Sequence, residues 1–208
     1  MLAHSAVAEL AQREGKLVDD FTSAYFDYLL RRLIAALPAG SPEIRHLEVV
    51  VLAQVPQQAG TPGSGYIILS KPLIASLANE GQLAFVVAHE LAHLVLGHTP
   101  QSGLSESARG DLEIDADSFA VGLIALAGYD PRVATGALTR AAPYGALFNF
   151  GLSASGSYPA LDERVQKVQR MVADSNWRPP GTVDRRDFQL MRRQVMLAEP
   201  IHQSLMPR

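Results

Sequence analysis

Apolar residues recur at helical spacing near the start of the chain: Phe21, Tyr25, Tyr28, Leu29 and Leu33 share one face, and Pro38 follows them. Residues 5–37 therefore predict one or two helices. Pro38-Ala39-Gly40-Ser41-Pro42 is a loop. Leu47–Leu52 and Tyr66–Leu69 are short apolar runs that read as strands, joined by the polar stretch Pro56–Ser64. The pattern then changes. Leu83, Ala84, Phe85, Val86, Val87, Ala88, Leu91, Ala92, Leu94, Val95 and Leu96 leave almost no polar face, which predicts a helix buried all round. Asn79 is its N-cap and Gly97 its stop. Thr99–Gly110 is a polar loop, residues 111–127 form a helix ending at Gly128, and Asp130-Pro131 opens another. Residues 143–160 hold Tyr144, Phe148, Phe150 and Tyr158 with little periodicity, as a flap beside a cleft or a structural loop. Leu161–Ala173 is a helix, Asn176–Gly181 breaks it, and a basic helix over about 184–198 follows. Its Arg185, Arg186, Arg192 and Arg193 form a solvated face, and the helix either packs on the N-terminal helices or shields a cleft. The expected architecture is α+β, mainly helical with a small β-sheet. It is one domain over 1–208, with N-terminal helices to residue 40, a core over 45–172 and a C-terminal extension over 182–208.

Composition narrows the class. With 208 residues, 48% of them hydrophobic, the chain can bury a good core as one domain. A net charge of −3 carries no nucleic-acid signal, so nucleic acid is not an expected partner. The absence of Cys excludes disulfides, thiolate metal sites and cysteine nucleophiles. No apolar run approaches the eighteen or so residues of a membrane-spanning helix, and Met1–Ser5 lacks the basic start of a signal peptide. A soluble protein is expected: in the cell envelope (periplasm) if a leader lies outside this sequence, otherwise in the cytoplasm.

The polar residues inside the apolar helix carry the chemistry. In His89-Glu90-Leu91-Ala92-His93 the two histidines are four apart and share one helix face, so both imidazoles can reach one metal ion. Glu90 lies about 100° round the helix from His89, placed to take a proton from a metal-activated water without being a ligand. Burying these three groups is costly unless they are paired or coordinated.

A catalytic zinc site has three protein ligands. The pattern HExxHxxGxxH is absent, since Leu96 and Thr99 stand at the places of its Gly and third His. His98 is nine residues past His89, half a helical turn out of phase, and is read as a helix-end cation or hydrogen-bonding group. The better third ligand is Glu113, in Asp111-Leu112-Glu113-Ile114-Asp115-Ala116-Asp117. Glu113 and Asp117 fall on one face of the second helix. Leu112, Ile114, Ala116, Phe119, Ala120 and Val121 argue that this helix is largely buried. Asp117 would accept the free N–H of a ligating histidine and fix its tautomer.

HExxH over 89–93 with Glu113-x-x-Ala116-Asp117 resembles the gluzincin metallopeptidases of the HtpX-like and CAAX-prenyl-endopeptidase type. Gly63–Ser70 and Leu83–Val87 resemble the family's strand and helix leading into the motif. Gly128-Tyr129-Asp130-Pro131 resembles a recurrent turn, and Tyr158-Pro159 with Arg164 its late His-Pro…Arg segment. The resemblance implies a zincin-like metallopeptidase fold and one Zn²⁺ per chain, held by His89, His93 and Glu113. It also implies Glu90 as general base and unfolded or extended polypeptides as substrate. Tyr158 stands where the family often has His; it either donates its O–H to a developing oxyanion or packs as an ordinary Tyr. Gluzincins pair extended substrate with an edge strand, and Gly65, Tyr66, Ile67 and Ile68, within strand 65–70, are the candidates here, unless that strand is central. The expected function is a zinc-dependent endopeptidase. Its rival is a latent or non-catalytic zinc-binding, chaperone-like protein, occluded by the 143–160 loop or the C-terminal helix.

Overall fold

Helix α4 (Glu80–Val95) is the buried helix expected around the motif, and each of its residues from Glu80 to Ala92 is buried. Asn79 caps it, its side-chain oxygen accepting from the Gln82 N–H. The computed structural model describes residues 2–17, 19–53, 59–60, 65–98, 105–141, 161–175, 177 and 186–201. The other elements are α1 (Leu2–Glu14), β1 (Lys16–Leu17), α2 (Asp20–Ala35), β2 (Glu48–Leu52), β3 (Ala59–Gly60), β4 (Tyr66–Ser70) and α3 (Lys71–Ser76). After α4 come α5 (Glu106–Leu126), α6 (Val133–Ala141), α7 (Leu161–Asp174) and α8 (Arg186–Leu197). The protein is α+β and mainly helical, as the sequence predicts.

The sheet runs β1-β2-β4-β3. β2 and β4 are parallel, from Glu48 opposite Tyr66 to Leu52 opposite Ser70, and β1 and β3 flank them antiparallel. Both faces are covered. Val50, Leu52, Tyr66 and Ile68 pack with Val7 and Ala11 of α1. Val51, Ile67 and Leu69 point the other way, into the main core with α2, α4, α5 and α8. Burial on both faces explains why these strands read as continuous apolar runs rather than alternating ones.

Of the two positions the sequence leaves open for it, candidate edge or central strand, β4 takes the central one: β3 pairs with it opposite Ile68 and Leu69, so β4 is interior and β3 is the outer strand. A two-residue strand after a polar connection has no hydrophobic pattern to announce it. Two short elements were also unexpected: β1, entered through Gly15 at φ 77°, and α3, whose N-cap is Ser70. α5 starts earlier than residue 111, because Ser105 caps it, its Oγ accepting from the Ala108 N–H.

Helix α2 is tied to the motif helix through a buried carboxylate. Glu80 accepts from Tyr25 Oη at 2.8 Å and from Tyr129 Oη at 2.7 Å. Arg32 lies over the Tyr129 ring, 4.1 Å from its centroid, and its Nε donates to Ala127 O. Burial, then Glu80, raises the pKa of Tyr129, which keeps that phenol a donor. Helix α8 buries Phe188, Met191 and Val195 in the main core and packs chiefly on α2 and α3. Of its two main partners, α2 is one of the N-terminal helices. Among the described residues no helix is long and apolar enough to cross a membrane.

Candidate metal centre

Helices α4 and α5 pack along each other, and the carboxylates of one meet the imidazoles of the other. His89 is fully buried, and its Nδ1 lies 2.9 Å from Asp117 Oδ1. A carboxylate can only accept there, so the His89 proton sits on Nδ1 and the Nε2 lone pair is left to face inward. Inward lies His93, whose Nε2 is 3.0 Å from His89 Nε2. Glu113 completes the group, with Oε2 3.5 Å from His89 Nε2 and Oε1 3.6 Å from His93 Nε2.

The three side chains offer ligand atoms all within 4.8 Å of one another. Glu113 Oε2 is buried and makes no hydrogen bond among the described residues. One carboxylate beside two converging imidazole nitrogens, with Arg164 Nη1 3.4 Å from Glu113 Oε2 as a counter-charge, is a donor set of the kind that holds a divalent cation. The residues present therefore fit a metal ion.

Arg164 of α7 closes the other side. Its Nε and Nη2 donate to Asp117 Oδ2 at 2.7 Å and Oδ1 at 2.8 Å, and its Nη1 lies 3.4 Å from Glu113 Oε2. Burial works to raise the Asp117 pKa, but the hydrogen bonds from Arg164 and His89 outweigh it and hold it at about 2. Burial likewise opposes charge on Arg164, yet Asp117 above all, then Glu113 and Glu90, keep its pKa above the ordinary value. Burial also opposes a proton on His89, but the hydrogen bond to Asp117 and the adjacent Glu113 carboxylate raise its pKa. His93 goes the opposite way: burial, then the positive neighbours, lowers it to about 2, leaving a neutral imidazole.

The structure thus brings together His89, Glu90, His93, Glu113 and Asp117, with Glu90 buried one residue along α4 from His89. Tyr158 and the 143–160 segment lie outside the described residues. Tyr66, Ile67 and Ile68 belong to the interior strand, with Gly65 just before it; Ile67 and Ile68 are fully buried in the two cores. Two further side chains, Arg164 and His98, border the site. Arg164 was noted only in a resemblance, although it falls on the apolar stripe Leu161, Val165, Val168 of α7, where a charge needs a buried partner. Helical phase places His98 away from the metal ligands, as a helix-end cation or hydrogen-bonding group; it is the latter here, its Nδ1 lying 3.2 Å from His93 Nδ1.

Two family models match the chain. One, described as Peptidase U49, covers residues 73–176, half of the chain, including both metal helices and Arg164. The other, Peptidase family M48, covers residues 27–109. No curated protein matches the chain.

Proposed function

We propose that this chain, which belongs to the peptidase U49 family and is of the M48 zincin metallopeptidase type, is a zinc-dependent endopeptidase acting on unfolded or extended polypeptides. The observation that carries this reading is the donor set of His89, His93 and Glu113, two of them buried and His93 partly so, with its ligand atoms within 4.8 Å of one another. Two neutral imidazoles and one carboxylate are the ligand chemistry of a catalytic zinc site. Held there, the ion supplies Lewis acidity, making water acidic and a peptide carbonyl electrophilic.

The protein's own groups do the rest. Glu90 takes the proton of the attacking water and delivers it to the leaving amine, which a positioned carboxylate can do for about 10²–10⁴-fold in rate. Asp117 holds the proton of His89 on Nδ1 and so keeps Nε2 a ligand. Arg164 offsets the negative charge that Glu113 and Asp117 bring into a buried site. Pairing of extended substrate falls to β3, the outer strand, which contacts α4. The packing of α8 on α2 and α3 speaks against shielding of the site by the C-terminal helix.

Casein cleavage by the zinc-loaded protein, run beside Glu90→Gln and Glu113→Ala, tests this. The parent should cleave. Glu90→Gln should lose about 100-fold or more while keeping its zinc. Glu113→Ala should lose cleavage and retain zinc poorly. Equal cleavage by parent and Glu90→Gln would remove Glu90 as the base, and full zinc occupancy in Glu113→Ala would remove Glu113 from the ligand set.

A further inference from the structure

Helix α4 ends in a left-handed turn that carries His98 back over the metal centre. Gly97 has φ 71°, a conformation open to glycine at little cost. Its N–H bonds Leu94 O at 3.3 Å and the His98 N–H bonds His93 O at 2.8 Å, the paired bonds of a Schellman ending. Extrapolating α4 beyond Val95 puts His98 on the wrong side; the reversal at Gly97 puts it on the right one. The His98 ring then stands against the His93 ring, centroids 5.1 Å apart and planes at 67°, with the two Nδ1 atoms 3.2 Å apart.

The geometry assigns His98 as the positioning residue of His93: its Nδ1 accepts the His93 Nδ1–H, fixing the tautomer and ring orientation that turn His93 Nε2 toward the metal. This rests on reading His89, His93 and Glu113 as the ligand set. His93 Nε2 faces His89 Nε2 and Glu113, so as a ligand it carries a lone pair, and the single proton of a neutral imidazole is then on Nδ1. His98 Nδ1 is within hydrogen-bond reach of that proton, and as acceptor it carries its own proton on Nε2. Among the described residues His98 is not in the group whose atoms converge on the metal position, so it acts through His93. The two ligand histidines are therefore held differently. His89 has a buried carboxylate clamped by Arg164, whereas His93 has a neutral, half-buried imidazole.

Zinc affinity, read by competition with a chromophoric chelator, tests the assignment on the full chain. The parent should bind one equivalent. His98→Ala should bind about 10–100-fold more weakly, the usual effect of losing the outer hydrogen bond of a ligating histidine. His98→Asn should recover most of the affinity, since its side-chain oxygen branches from the same carbon position as Nδ1 and accepts in its place. His98 is half-buried, so both variants should unfold near the parent's temperature when metal-free. Parent-like zinc affinity in His98→Ala, or equal weakness in the Ala and Asn variants, overturns the positioning role. Failure of the parent to bind zinc overturns the ligand set beneath it, and the two failures are distinct.

Discussion

Asp117 and Arg164 show how far single residues were legible. The spacing of His89, Glu90 and His93, and of Glu113 and Asp117, is local, because helical periodicity places residues four apart on one face. The pairing of Arg164 with Asp117 spans 47 residues and two helices, and no local pattern encodes it. Its trace is only a charge on an apolar stripe. The pair makes a sign-definite prediction. Asp117 titrates at about 2 in the fold against an ordinary 3.8. It therefore contributes stability that is fully present above 3.8 and is lost as pH falls from 3.8 to about 2. In acid titrations of the metal-free protein, Asp117→Asn should lack this loss. At neutral pH the same variant should be about 3–5 kcal/mol less stable, with Arg164 left buried and poorly compensated. Identical acid profiles for parent and variant would contradict the clamp.

At the scale of elements, long periodic segments were readable and short ones were not. α2, α4, α7 and α8 announced themselves through spacing and caps, while β1, β3 and α3 are too short for a period to develop. The interior position of β4 was hidden because a strand's place in a sheet depends on partners elsewhere in the chain. The contact of His98 with His93 was hidden for a related reason: helical phase holds only while the helix lasts, and α4 ends at Val95. The packing of α8 also needed the fold, since Phe188, Met191 and Val195, interspersed with its arginines, are buried. Removing residues 182–208 should therefore lower stability by more than about 5 kcal/mol, three large apolar side chains being lost from the core. It should not raise casein cleavage per folded molecule. Higher cleavage with an unchanged unfolding temperature would return the helix to a shielding role.

For the whole molecule, the sheet, covered by α1 on one face and the helical core on the other, forms a rigid backing for α4. The Glu80 network ties the start of α4 to α2 and to Tyr129 beyond α5. Packing of this kind holds catalytic groups in place more firmly than loops can. The site is thus built from three helices whose order in the chain, α4, α5, α7, runs through the U49 match at residues 73–176. The central claim is that His89, His93 and Glu113 together hold one zinc ion. X-ray absorption at the zinc edge on stoichiometrically loaded protein reads the ligand set directly. The account predicts two imidazole nitrogens at about 2.0–2.1 Å with a carboxylate oxygen beside them, and loss of that oxygen in Glu113→Ala. Three imidazoles, or a spectrum unchanged by Glu113→Ala, would contradict it.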